Sequence, residues 1–280
     1  MSSKLKKWPK TKIIGLILLI LLSICMLYPL FLIINLSVLS DKAFAKNPSA
    51  LAIGDAFFIG NFALVFEKIK AFDRFFNSLW MTAISCVINT ALCMLAAFPL
   101  SRNHFRSSKL TYVIILLSMY LPGSLVANII LLNDILHIYG SPIALILMWS
   151  IGSMQMNVFM MVGFVKTLPV SLDEAAFIDG CGYFKYIFVI ALPLLKPIIA
   201  TILVFKAVGC WNDFVGPMLY LKGEQFRPMA VGLFFFRGSY SSQWNQFSAA
   251  IILMALPMVI LYSFAQKYII EGMVAGAIKG

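Results

Sequence analysis

The sequence predicts an all-α polytopic membrane protein with six transmembrane helices, and three observations carry that prediction. Hydrophobic residues make up 61% of the 280-residue chain and charged residues only 12%, against about a quarter charged in a soluble domain. Mean hydropathy is +0.94. Six apolar runs, at roughly 13–39, 75–100, 110–133, 143–165, 197–220 and 245–265, each reach the ~20 residues that an α-helix needs to cross the hydrocarbon of a bilayer.

In chain order, residues 1–12 form a basic tail, with Lys4, Lys6, Lys7, Lys10 and Lys12 ahead of the first span, 13–39. A secretion signal has a 7–15-residue apolar core. Here no charge occurs from Ile13 to Ser40, so the segment reads as a retained helix. The loop 40–74 carries turn residues and scattered charges, with room for a short amphipathic helix around Phe62–Phe72. The remaining five spans fall in a core of 75–265, interrupted by a polar stretch at 169–197, and 266–280 forms a tail. With both termini cytoplasmic, thirteen Lys and Arg lie inside and eight outside, the bias that sets orientation in membranes. The net charge of +11 is spread mainly over the ends of apolar runs. That placement suits lipid headgroups and argues against nucleic-acid binding.

The stretch 169–197 is sharply punctuated. Ser171-x-x-Glu174 has the form of a capping box. Leu172, Ala175, Ala176 and Asp179 fall at i, i+3, i+4 and i+7, on one face of a two-turn helix. Two alanines leave that face without bulk, so another protein can approach the backbone. Gly180 suits the left-handed position that ends a helix. Pro193 and Pro197 suit the first turn of the helix that follows.

Glu174, Ala175, Ala176, Asp179, Gly180, Leu192, Pro193, Lys196 and Pro197 together resemble the EAA loop of binding-protein-dependent ABC importer permeases. Asn77-Ser78-Leu79, Trp211-Asn212-Asp213-Phe214 and a tail with Glu271-Gly272 and Gly276-Ala277-Ile278-Lys279-Gly280 extend the likeness to the maltose-type second permease of the carbohydrate class. The sequence departs from it at Cys181, where alanine is commoner, and in 41–74. The resemblance implies a type I ABC importer permease fold in a bacterial cell membrane, working by alternating access. It implies that Leu172, Glu174, Ala175, Ala176, Asp179 and Gly180 dock on a cytoplasmic ABC ATPase dimer. The implied partners are a second, non-identical permease subunit, an extracytoplasmic solute-binding protein, the bilayer and a carbohydrate, most simply an oligosaccharide. A non-sugar cargo such as a glycerophosphodiester or a polyamine is the alternative.

No catalytic or metal set is evident. The five cysteines lack metal spacing and the two histidines lack ligand-like neighbours. No Gly-Lys pair exists, hence no P-loop. The chain therefore needs no cofactor of its own, and ATP falls to the partner ATPase. An ion-coupled secondary transporter would need paired acidic residues at the membrane midplane, and an intramembrane enzyme a catalytic constellation; neither is found. In the fifth span, Lys206 and Asp213 lie seven residues apart on one face, ~10 Å along a helix. Asn212 and Asp213 are candidates for the translocation path, with a place at the outer interface equally open for Asp213. For Lys206 a structural partner is the preferred reading. Phe234-Phe235-Phe236, Tyr240 and Trp244 read as an interfacial aromatic belt, with stacking on sugars as the rarer alternative. Pro29, Pro99, Pro122, Pro217 and Pro257 mark kinks or ordinary prolines of spanning helices.

Overall fold

The computed structural model describes residues 10–121, 123–236 and 243–277, without the side chains of 10, 11, 13, 235 and 268–277. Lys4, Lys6, Lys7, Pro122, Arg237, Tyr240 and Ile278–Gly280 lie outside the described residues. Among those described, β-pairing is limited to the isolated bridges Leu39–Phe57 and Gly140–Leu221; the rest of the regular structure is helical. Three helices are each long and apolar enough to cross a membrane: Ile14–Ser37, Ala71–Ser101 and Trp244–Lys267. Three bent pairs, Ser108–Tyr120 with Leu125–Ile135, Pro142–Ile151 with Met154–Val165, and Tyr183–Leu194 with Lys196–Asn212, bring the number to as many as six where each pair counts as one span.

The chain divides into two compact units. The first comprises Met1–Ile69 and Leu233–Ala255. Its helix Lys10–Ser37 exposes nearly all of its apolar residues, among them Leu19, Ile24 and Met26. In water such a surface would drive aggregation, whereas lipid is its natural solvent. Asn61, fully buried, donates from Nδ2 to the carbonyls of Ser37 (3.0 Å) and Leu39 (2.9 Å), satisfying acceptors that the helix end leaves orphaned. The expected short helix exists as Gly60–Lys68, burying Asn61, Val65 and the following Ile69 on one stripe. It stops before Lys70, whose φ of +50° breaks the helix, and the next helix starts at Ala71 rather than 75.

The second unit comprises Lys70–Gly232 and Leu256–Gly280. Its centre is the helix Ala71–Ser101, packed against Pro142–Ile151, Met154–Val165 and Lys196–Asn212. Phe98, Met161, Ile187, Leu195 and Ile202 are almost wholly enclosed. Lipid tails are as apolar as leucine, so polar contacts help to hold such helices together. Buried Asn89 donates to the Ser150 carbonyl at 2.7 Å and accepts from Asn157 Nδ2 at 2.6 Å, tying three helices.

Three expected spans are not continuous, and prolines account for two of the breaks. The third is interrupted after Leu121, extended at ψ 128°, as expected of the residue preceding Pro122. Ser124 then caps the next helix by accepting from the Ala127 amide. The fifth ends at Asn212: continued helix would bring the Pro217 ring against the Asp213 carbonyl. Asp213 is extended and Val215–Tyr220 forms a separate helix. Lys206 and Asp213 therefore do not share a helical face. The fourth breaks at Gly152-Ser153, with Ser153 at φ +63°, and its two halves diverge by 43°. Pro29, Pro99 and Pro257 sit inside unbroken helices. The last helix runs on to Ala277, well past 265 into the stretch read as a tail.

Candidate coupling and translocation sites

The polar loop begins with the helix Val170–Ile178, whose N-cap is Pro169, without a side-chain cap bond. The expected capping box is not formed. Pro169 has no N–H, and Ser171 lies inside the first turn, two positions too late to cap it. The C-terminus matches expectation. Gly180 has φ +73°, the Gly180 amide donates to Phe177 O (3.0 Å) and the Cys181 amide to Ala176 O (2.9 Å), the two bonds of a Schellman motif. A Cβ at Gly180 would meet nothing within 4 Å, so a side chain there is resisted by the backbone alone. Gly180→Val is expected to cost about 1–2 kcal/mol at this turn and Gly180→Asn less. Limited proteolysis across 170–182 checks the order.

The face of this helix differs from the periodicity argument in one respect. Ala176 is buried, at 4% exposure, with Asp173 one turn earlier. Leu172, Glu174, Ala175, Ile178 and Asp179 remain exposed, Ile178 most of all at 86%. The low-bulk exposed surface is therefore that of Ala175 alone, because Ala176 packs inward into the core cluster that holds Tyr186.

What turns Asp173 inward is Arg102, the residue that closes Ala71–Ser101. Arg102 Nε lies 2.6 Å from Asp173 Oδ2, a close charge contact rather than an aligned hydrogen bond. The guanidinium also donates through NH2 to the Leu168 carbonyl at 3.0 Å. Tyr186 donates its hydroxyl to Asp173 Oδ1, sets its ring edge-on to Phe98 at 5.4 Å and stacks on Phe177 at 6.3 Å. The loop helix is thus fixed at the end of the longest helix of its unit by a buried carboxylate with two partners. Sequence reasoning missed Arg102, Asp173 and Tyr186. The available signal was Asp173 itself, three residues before Ala176: a carboxylate on the inward face of a helix requires a buried partner.

The second candidate site is a cavity of about 590 Å³ around the breaks in the fourth and fifth spans, within the second unit. Its lining includes Trp149, Ser153, Lys206, Asn212, Asp213 and Tyr220. Lys206 is buried and meets structural partners, as preferred from the sequence. Its ammonium donates to the carbonyls of Trp149 and Gly152 (the latter at 2.6 Å) and to Ser153 Oγ at 3.3 Å. It caps the carbonyls that the 43° break sets free, a cation at a helix C-terminus. Asp213 accepts from Trp149 Nε1 at 2.7 Å and from the Gly216 amide at 3.1 Å. Asn212 is exposed to the same cavity. Both candidate path residues therefore come together here, beside Trp149, which no sequence pattern singles out.

A family model described as binding-protein-dependent transport system inner membrane component matches residues 89–274, more than half of the chain. The maltodextrin transport system permease protein MalD of Streptococcus pneumoniae is 31% identical over 288 aligned residues, covering 100% of this chain and 99% of that protein. The melibiose/raffinose/stachyose import permease protein MelC of Bacillus subtilis is 32% identical, covering 79% of this chain and 80% of that protein. Among solved structures, a chain of a bacterial ABC transporter involved in the import of the acidic polysaccharide alginate superposes with a TM-score of 0.81. It is 21% identical, and the match covers 95% of this chain and 100% of that one.

Proposed function

The chain belongs to the family of binding-protein-dependent transport system inner membrane components, and from that premise we propose that it is one permease subunit of an ATP-driven importer for a carbohydrate, most simply an oligosaccharide. The observation that carries the coupling role is the helix Val170–Ile178. It holds Leu172, Glu174, Ala175 and Asp179 on an exposed surface while Arg102 and Tyr186 fix its other side. Ala176 supports that helix from beneath and Gly180 ends it. Two relatives named for maltodextrin and for melibiose, raffinose and stachyose favour a saccharide cargo. The family is one of transport components and not of enzymes.

In this reading a solute-binding protein delivers the saccharide, an ABC ATPase dimer binds and hydrolyses ATP, and the loop helix carries the closing motion into the spanning bundle. One chain offers one such helix to a dimer with two clefts, so a second permease, related but not identical, completes the pathway. Asn212 and Asp213 line this chain's share of the path. The test is to purify the chain with its partner permease, ATPase and binding protein and to ask which solute stimulates ATP hydrolysis. An oligosaccharide is expected to do so; stimulation by a glycerophosphodiester or a polyamine instead would overturn the carbohydrate assignment.

Orientation follows from the thirteen-to-eight bias of basic residues. A membrane-impermeant thiol label on a cysteine placed at Gly182 is expected to react only from the cytoplasmic side, and a reporter fused after Gly280 to report the same compartment. Labelling from outside would reverse the assignment.

A further inference from the structure

The cavity beside Lys206 and Asp213 has an unequal stock of hydrogen-bonding groups. An ammonium has three donors and no acceptor. Those of Lys206 go to Trp149 O, Gly152 O and Ser153 Oγ, which leaves none for a ligand. An ionised carboxylate accepts at about four lone-pair positions. Asp213 uses two, one for the Trp149 indole N–H and one for the Gly216 amide. Among the described residues no hydrogen bond engages the Asn212 carboxamide, which lines the same cavity. The Tyr220 hydroxyl accepts from Asn128 Nδ2 at 3.2 Å, and its own proton is free to be given. What remains available is one charged acceptor, the Asn212 amide that gives and takes, the unused part of the Asn128 carboxamide, the Ser153 hydroxyl proton and one phenol. The cavity's volume of about 590 Å³ falls within the ~300–1,000 Å³ usual for small-molecule sites.

We propose that this cavity is a saccharide subsite belonging to this chain, in which Asp213 and Asn212 read hydroxyl groups and the Asp213 carboxylate selects a neutral solute over an anionic one. The proposal rests on the carbohydrate reading above. A sugar hydroxyl donates to Asp213 and Asn212 and accepts from the Asn212 amide, while Trp149 and Tyr220 supply aromatic wall. A uronate or phosphate would meet the carboxylate with Lys206, the one lining cation among the described residues, already saturated, so its desolvation would go uncompensated.

The test uses the chain assembled with its partner permease and ATPase, carrying Asn212→Cys in a background where Cys25 and Cys181, the two cysteines not buried, are serine. Modification of this chain is followed by peptide mass. A cationic methanethiosulfonate is expected to react about tenfold faster than an anionic one, the lower end of electrostatic focusing in a charged cleft. Adding Asp213→Asn should bring the two rates together. Trp149→Phe keeps the charge and frees one carboxylate oxygen, so the preference should persist there. A preference that survives Asp213→Asn would have a source other than this carboxylate and would overturn the role given to Asp213.

In the Asn212→Cys assembly, maltotetraose or stachyose should slow modification by a neutral reagent, and a uronic-acid tetrasaccharide should not. Absence of the charge preference, or protection by the uronate as strong as that by the neutral sugars, overturns the proposal. Failure of both neutral sugars to protect, when a neutral oligosaccharide stimulates ATP hydrolysis in the complete importer, removes the subsite and leaves the carbohydrate reading standing. Protection by spermidine together with spermidine-stimulated hydrolysis removes both.

Discussion

Arg102→Ala is expected to release the loop helix and to abolish ATP-coupled transport in a protein that still inserts into the membrane. The side chains of Arg102 and Asp173 are only 10% and 9% exposed, so water does not screen the pair. Forming a buried ion pair contributes little net stability, because desolvation consumes most of the attraction. Deleting one partner is another matter, costing ~3–5 kcal/mol through the charge left behind. Here that charge is Asp173, left with the Tyr186 hydroxyl alone. The Arg102 bond to the Leu168 carbonyl, which fixes the chain just before the helix, goes as well. The loss should show as faster proteolysis within 168–182 and as failure of the ATPase to co-purify. Pairing Arg102→Met with Asp173→Leu removes both charges and should restore much of the protease resistance. Unchanged co-purification of Arg102→Ala would mean that the anchor plays no part in holding the docking surface.

Ala175→Asp is expected to abolish uptake by a different route, without loosening the fold. Ala175 is exposed on a helix whose inward side is held by Asp173 and Ala176, so a carboxylate there faces solvent, with the exposed Asp179 one turn on costing a few tenths of a kcal/mol at most. Against a docking partner it introduces both bulk and an uncompensated charge, and leaving such a charge desolvated in an interface costs several kcal/mol. Protease resistance should stay at the native level while ATPase association falls by at least tenfold. Ala176→Asp offers the contrast. Because Ala176 is buried, that change should destabilise the loop itself, and the two variants separate docking from folding. Normal uptake from Ala175→Asp would refute the coupling role of this face.

The parts of this structure that were legible in the sequence are those set by local chemistry. Apolar length located the helices, Gly180 marked its own left-handed turn, and Pro193 and Pro197 stand in first turns as expected. The break at Asp213 was only partly legible: Pro217 crowds the Asp213 carbonyl, but Pro29, Pro99 and Pro257 are accommodated in unbroken helices, and hydropathy averages over both cases. What could not be read depends on partners distant in the chain. The inward turn of Asp173 is decided by Arg102, about seventy residues earlier, and Tyr186; periodicity alone left Ala176 on the open side. The break at Gly152-Ser153 has no proline, and its exposed carbonyls are tolerated because Lys206 comes from another helix to bind them. The Ser171-x-x-Glu174 pattern failed for a local reason: Pro169 began the helix two residues earlier than the pattern assumed.

ATP-dependent accumulation of a neutral oligosaccharide in vesicles holding this chain, its partner permease, the ATPase and the binding protein tests the central claim most directly. The account predicts accumulation that needs ATP and the binding protein, persists when ion gradients are collapsed, and disappears when this chain is omitted. Accumulation driven by an ion gradient without ATP, or undiminished without this chain, would contradict it.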